Sequence, residues 1–173
     1  LDQVWCMPNG NPPHKDNKNI VSTPRERAQM VSLAISGYRK FRLEDYELKR
    51  KDVSCSYGTM EHFKELYPED HFYFIIGADS LFSIEQWVHV ERLFPTCTIL
   101  AAYRDDKSSR EVMGRQIRLL TGKYGADIRL LNTPLVDVSS HELRRMLRDK
   151  EDVGGLMPEA VVDYIHRNQL YTS

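Results

Sequence analysis

The sequence runs to 173 residues with a net charge of −1, 41% apolar and 28% charged side chains. That length fits one domain with a proper core, and a charge this near zero argues against a nucleic-acid polyelectrolyte or a membrane-surface protein. No apolar run is long enough for a bilayer, nothing at the start reads as a secretory signal, and the three cysteines Cys6, Cys55 and Cys97 stand far apart in no metal-ligand spacing, as reduced thiols of a cytoplasmic protein do.

In chain order, Val4-Trp5-Cys6-Met7 predicts a short apolar strand entering the Pro- and Asn-rich loop Pro8 to Asn19. Ser22 or Thr23 then caps a helix with Pro24 at its first position, an apolar stripe of Met30, Val31, Ala34 and Ile35, and a stop at Gly37. Phe41 to Leu48 alternates apolar and polar residues and predicts a second strand. Ser56 to Tyr67 predicts a helix ended by Pro68. His71 to Gly77 is the strongest strand signal; its nearly continuous apolar run predicts cover on both faces. A helical stretch reaches Phe94 and Pro95, and the strand Thr98 to Tyr103 follows. Ser109 to Tyr124 reads as helix and Ile128 to Leu131 as a last short strand, before helices from Ser139 and from Pro158. Alternating strands and helices indicate an α/β protein: a doubly wound parallel sheet with helices on both faces, in a single domain over residues 1–173.

Ligands in such sheets bind outside the carboxyl ends of the strands. That singles out Pro8 to Lys18, Gly77 to Ser80, Arg104 to Ser108 and Thr133 to Ser140 as candidate loops. Within the first, Pro12 and Pro13 stiffen the chain and set His14 and Lys15 side by side, either as anchored cationic tips or as a rigid, solvated surface loop. Gly77 admits a ligand close to the backbone, and Asp79 either accepts from a ribose diol or caps the next helix. Trp87 either stacks on a flat heterocycle or belongs to the core. Ser54 to Thr59 opens a helix with several hydroxyls and no bulk at Gly58, a possible carboxylate or phosphate site. Arg25 and Arg27 lie in the first turn of their helix, where the dipole disfavours cations; a carboxylate partner such as Glu26 or Glu47, or a bound anion, would explain them, and the ion pair is the expectation.

The most informative stretch is Val138-Ser139-Ser140-His141-Glu142-Leu143-Arg144. Two serines bring hydroxyls and free N–H groups to the positive end of a helix, where anions bind. Arg144 shares the helix face of Ser140 and leans back toward the N-terminus with a planar fork suited to phosphate oxygens. The plain alternative is a Ser N-cap followed by a solvent-facing Arg.

In order along the chain these residues resemble the bacterial nicotinate-mononucleotide adenylyltransferases, within the nucleotidylyltransferase superfamily. Val4 to Lys15 is similar to the family's strand and Pro-x-x-x-Pro-Pro-His-Lys loop, with Arg27 and Met30 in the following helix. Ser54 to Thr59 resembles Ser-Tyr-Thr-x-x-Thr, Phe74 to Leu81 resembles Phe-Ile-Ile-Gly-Ala-Asp-x-Leu, and Trp87 falls where the family keeps a Trp. Val138 to Arg144 resembles Ile-Ser-Ser-Thr-x-Ile-Arg, and Tyr164-Ile165 with Leu170-Tyr171 its terminal helix.

The resemblance implies a Rossmann-like fold and transfer of AMP from ATP to nicotinate mononucleotide, giving deamido-NAD and pyrophosphate. It implies that Ser139, Ser140 and Arg144 hold the ATP phosphates, that Gly77 and Asp79 contact adenosine, and that His14 and Lys15 lie near the phosphates. Trp87 would stack on the pyridine ring, with Ser56 and the backbone of Val88 taking its carboxylate; Lys15 and Arg144 are the expected catalytic cations. Magnesium is expected with ATP as co-substrate, without dedicated protein ligands. The expected partners are ATP and nicotinate mononucleotide, neither nucleic acid nor membrane, with a homo-oligomer possible and a cytoplasmic location.

The family opens with a strand and a loop carrying Gly-x-Phe-Asp-Pro-x-His-x-Gly-His, and residues 1–173 contain no counterpart of that strand, catalytic loop and first helix. That strand is a middle one in the sheet, so its neighbours are expected to expose backbone edges and apolar faces, and the enzyme reading presupposes the segment. His141 stands where the family has Thr, either as a further donor or facing solvent; Cys55, Ser56 and Gly58 replace bulkier residues. Two alternatives remain: adenylyl transfer to another acceptor such as phosphopantetheine, or a nucleotide-binding module without catalysis.

Overall fold

The computed structural model describes residues 1–10, 22–103, 107–133 and 138–172, with the backbone alone at 107–109. Its elements are β1 (Val4–Cys6), α1 (Pro24–Ile35), β2 (Phe41–Leu43), α2 (Ser56–Leu66), β3 (Tyr73–Gly77), α3 (Ala78–Ser83), α4 (Val90–Leu93), β4 (Thr98–Tyr103), α5 (Lys107–Tyr124), β5 (Ile128–Asn132), α6 (Ser140–Arg148) and α7 (Glu159–Arg167). Short 3-10 turns at Glu47–Lys49, Ile84–Gln86 and Phe94–Thr96 link them. The chain divides into two compact units, Leu1–Ser54 with Asp137–Ser173, and Cys55–Val136.

In the first unit β1 and β2 pair in parallel, Val4 opposite Phe41 and Cys6 opposite Leu43. Helix α1 starts on a capping box: the Thr23 hydroxyl accepts from the Glu26 amide at 3.2 Å, and the Thr23 amide donates to the Glu26 carboxylate at 2.6 Å. Thr23 is therefore the cap, while Ser22 is buried and accepts a hydrogen bond from the Tyr171 hydroxyl at 3.0 Å. Met30, Leu33 and Ala34 pack with Leu143, Leu147, Val161, Ile165 and Leu170 in this unit's core; Leu33 replaces the expected Val31 and Ile35. The strand expected over Phe41 to Leu48 stops at Leu43. The Glu44 carboxylate accepts from the Tyr46 amide at 3.2 Å and turns the chain into the 3-10 segment.

In the second unit β3, β4 and β5 form a parallel sheet in that order, with Tyr73 opposite Thr98 and Ile99 opposite Ile128. Leu81, Ile84 and Ile99 are wholly inaccessible, with Leu93, Met113 and Leu120 almost so, and they anchor α3, α4 and α5 to the sheet. Each such side chain contributes roughly 1.5–3 kcal/mol over an exposed one. Thr98, also buried, donates to Asp127 at 2.7 Å and meets His71 Nε2 at 3.0 Å, so its hydroxyl is satisfied. Expected cover on both faces of β3 is not met. Ile76 is buried and Phe74 half-buried on one face, but Tyr73 and Ile75 on the other are 36% and 52% exposed among the described residues. The Gly77 to Ser80 stretch is not a loop either, since α3 begins at Ala78 directly after the strand. Both sheets are parallel and carry helices in sequence between their strands, the α/β arrangement that the alternation predicts.

Candidate functional site

In the first unit, α6 opens on Ser139, whose extended backbone (φ −114°, ψ 150°) is that of an N-cap. Its hydroxyl accepts from the Glu142 amide at 3.1 Å and its carbonyl from the Leu143 amide at 3.0 Å. The amides of Ser140 and His141, at the positive end of the helix, have no partner among the described residues. Leu147 is buried on the inner face, with Leu143 and Met146 packed beside it, and this anchors the helix. Arg144 is exposed on the outer side. Arg145 pairs with Asp149 and Glu151, and Arg148 with Asp149, whereas Arg144 has no ion-pair partner among the described residues. Both parts of the plain alternative, a Ser N-cap and a solvent-facing Arg, are present, and they leave the first-turn amides and the Arg144 guanidinium facing the same end of the helix. His141 is exposed.

The same unit holds the turn that leaves β1. The Gly10 amide donates to the Glu47 carboxylate at 3.2 Å, and Arg27 donates to the Asn9 carbonyl. A Cβ on Gly10 would lie 2.1 Å from the Glu47 carbonyl oxygen, so only glycine fits there. The expected ion pair of Arg25 or Arg27 with Glu26 or Glu47 is corrected: Glu26 completes the helix cap, and Glu47 binds the Gly10 amide. His14 and Lys15 lie outside the described residues.

In the second unit, Gly77 ends β3 and serves as the N-cap of α3 at φ −81° and ψ 168°. Asp79 is exposed in the first turn of α3 and is not its cap. Helix α2 opens on Cys55 without a side-chain cap, and its first amide with a backbone acceptor is Thr59, bonded to the Cys55 carbonyl at 3.2 Å. The amides of Ser56, Tyr57 and Gly58 have no partner among the described residues, and a Cβ on Gly58 would meet nothing within 4 Å. An uncapped helix start beside the Ser56 hydroxyl is a ready acceptor site for an anion.

Trp87 leaves the 3-10 turn with its amide donating to the Ile84 carbonyl at 3.0 Å. Its ring is half-buried, edge-on to Phe74 with centroids 6.1 Å apart, so it belongs to the core edge and keeps an exposed part as well. Val88 follows, 39% exposed, and its amide has no partner among the described residues. His89 comes next in the left-handed region, φ 50° and ψ 46°. Its ring meets Tyr57 edge-on at 5.2 Å, which brings the Ser56-Tyr57 step of α2 beside the Val88-His89 step. Arg92 stacks 4.5 Å over Tyr57 and grips Glu61 through two bonds of 2.9 and 2.7 Å. That bond is what holds the Arg92 guanidinium above its ordinary pKa. Tyr57, His89 and Arg92 escape a reading of the sequence, since nothing local links positions 57, 61, 89 and 92.

A cytidylyltransferase-like family model matches residues 1–146. A Clostridium botulinum (strain Loch Maree / Type A3) protein named "Probable nicotinate-nucleotide adenylyltransferase" is 35% identical over 172 residues, 99% of this chain and 85% of that one. A Clostridium acetobutylicum protein of the same name is 37% identical over 172 residues, 99% of this chain and 84% of its own. Among solved structures, the Plasmodium falciparum nicotinic acid mononucleotide adenylyltransferase complexed with NaAD superposes with a TM-score of 0.77 at 21% identity, covering 99% of this chain and 83% of that one. This likeness concerns the fold, which is the Rossmann-like nucleotidyltransferase fold.

Proposed function

Since the chain belongs to the cytidylyltransferase-like family, and within it to the nicotinate-nucleotide adenylyltransferases, we propose that it joins the AMP part of ATP to nicotinate mononucleotide. A phosphate oxygen of the mononucleotide attacks the α-phosphorus of ATP, the bond to the β,γ-phosphates breaks, and deamido-NAD and pyrophosphate leave. Within the molecule, the start of α6 carries this reading: two amides and the Arg144 guanidinium that have no partner among the described residues, beside the Ser139 and Ser140 hydroxyls. Such a donor set complements phosphate oxygens and places no carboxylate against them in its first two positions.

On this reading Ser139, Ser140 and Arg144 hold the ATP phosphates, Gly77 leaves room for adenosine, and Asp79 accepts from its ribose. Trp87 offers its exposed part to the pyridine ring. Ser56 and the Val88 amide take the ring's carboxylate, supported by the uncapped start of α2. His14 and Lys15 belong to the same proposal as phosphate-side cations, with Lys15 and Arg144 stabilising charge at the reacting phosphorus. Holding two phosphates in line and neutralising their charge supplies most of the barrier reduction in this chemistry. Hydroxyl, amide and guanidinium donors suit the phosphate face of a magnesium–ATP complex rather than the ion, so the metal would arrive on ATP and draw charge from its phosphates. No helix among the described residues is long and apolar enough to cross a membrane; a cytoplasmic location belongs to the same proposal.

The test is pyrophosphate release from magnesium–ATP with nicotinate mononucleotide, compared with its carboxamide analogue. Turnover is expected to be strong with the acid and weak with the amide. Equal turnover of both would overturn the acceptor, and release unaffected by Trp87→Ala would move the acceptor away from a pyridine ring.

A further inference from the structure

We propose that Tyr57 and His89 are positioning residues for acceptor selectivity: their ring contact sets the Ser56 hydroxyl against the Val88 amide and so favours the acid over the amide. This rests on the assignment of Ser56 and Val88 to the pyridine carboxylate. Each member of the ring pair directly follows one of those two residues in the chain, so their contact transmits spacing to both. The pair is held from both sides. Arg92 lies 4.5 Å over the Tyr57 face and is bonded to Glu61, one turn along α2 from Tyr57. The His89 Nδ1 is 3.2 Å from the Glu91 carboxylate, and the His89 carbonyl accepts from the Arg92 amide at 2.9 Å.

A simple staple between α2 and α4 does not call for the conformation seen at His89. A left-handed φ of 50° is adopted more cheaply by glycine than by a residue with a Cβ, although Lys150, Gln169 and Tyr171 adopt it in this chain too. Keeping histidine there retains the ring that meets Tyr57, and strain of this kind gathers where geometry matters to function.

The chemistry explains why spacing decides selectivity. A carboxylate accepts from every donor that faces it, so Ser56 and Val88 both serve it. A carboxamide brings an NH2 that leaves an N–H unpaired unless the serine hydroxyl turns to accept. Serine lacks the methyl that would restrict its rotamer, so the surroundings must hold it. Loosening the ring pair lets the hydroxyl turn and admits the amide.

The test is calorimetric titration of the full chain with nicotinate mononucleotide and with its carboxamide analogue, which needs no turnover. Tyr57→Leu and His89→Gly are each expected to lower the ratio of acid to amide affinity by about tenfold, the scale on which an unpaired polar group discriminates. Tyr57→Phe keeps the ring and should stay within about twofold of the parent. His89→Asn keeps the left-handed conformation without the same ring and should behave as His89→Gly, which separates loss of contact from loss of folding. A ratio unchanged in Tyr57→Leu and His89→Asn, alongside a ratio lowered by Ser56→Ala, would overturn the proposal and leave the site assignment standing. A ratio that Ser56→Ala does not move would remove the site assignment, and the proposal with it.

Discussion

Gly77 adopts a backbone open to any residue, and a Cβ there would meet nothing within 4 Å among the described residues, so neither turn geometry nor their packing calls for glycine. Open space at the end of a parallel strand is what a ligand approaching the backbone needs. Gly10 is the opposite case, because a Cβ there runs into the Glu47 backbone. Two glycines flank two candidate loops for different reasons, and the sequence alone does not separate them. Cys97 illustrates burial acting on a titrating group. The residue is 7% exposed, and burial pushes its thiol pKa from 9.0 up to about 11. The folded chain therefore keeps a proton that the unfolded chain releases: the stabilisation is complete below pH 9 and is lost as pH climbs toward 11. The full effect is on the order of 2–3 kcal/mol. Denaturant titrations across that range should show the parent losing stability more steeply than Cys97→Ala. Parallel curves would mean that the thiol gains access to water.

Helix starts carry most of the candidate chemistry, and α6 allows structure and binding to be separated within one element. Ser139 caps the helix through its bond from the Glu142 amide, so Ser139→Ala should cost about 1 kcal/mol of stability as well as affinity. Arg144 is exposed with no ion pair among the described residues, so Arg144→Ala should change stability by less than about 0.5 kcal/mol. Its loss should nevertheless weaken ATP binding by roughly 10- to 100-fold, the scale of a charge-assisted bond. Thermal melts set beside ATP titrations check both; an Arg144→Ala variant that melts lower yet binds ATP normally would return Arg144 to a structural role. These elements were readable because their signals are local. Thr23-Pro24 before an apolar stripe, Thr98 to Tyr103 bounded by charges and turns, and the paired serines before α6 each carry their own evidence. The failures came from elsewhere in the chain. Alternation over Phe41 to Leu48 continues in sequence, but the Glu44 side chain takes the Tyr46 amide and ends the strand. The apolar run of β3 does not tell its two faces apart, and the face that carries Tyr73 and Ile75 is the exposed one among the described residues. The left-handed turn at His89 and its contact with Tyr57 join residues far apart in sequence, beyond any periodicity.

At the scale of the whole molecule, 24 basic side chains nearly balance 25 acidic ones, so no long-range field draws in two phosphate-bearing substrates. Attraction must come from local groups: the amides at the starts of α6 and α2, without partners among the described residues, and the Arg144 guanidinium. Groups of that kind act within a few ångströms, well inside the Debye length of about 10 Å at moderate salt. Two consequences differ from those of a charged funnel. Association should be set by diffusion and orientation, so raising salt from about 50 to about 200 mM at constant magnesium should slow ATP association by less than about threefold, where a steered complex falls steeply. Affinity, in contrast, should depend on the local donors, so Arg144→Ala should act mainly by speeding dissociation. Stopped-flow binding at the two salt concentrations, with parent and variant, reads both rates. A steep salt dependence of association in the parent would contradict a local origin of the attraction and point to a clustered basic surface. Salt-insensitive association with a raised dissociation rate in the variant would place the recognition of phosphate in the geometry of the helix start rather than in the charge of the protein.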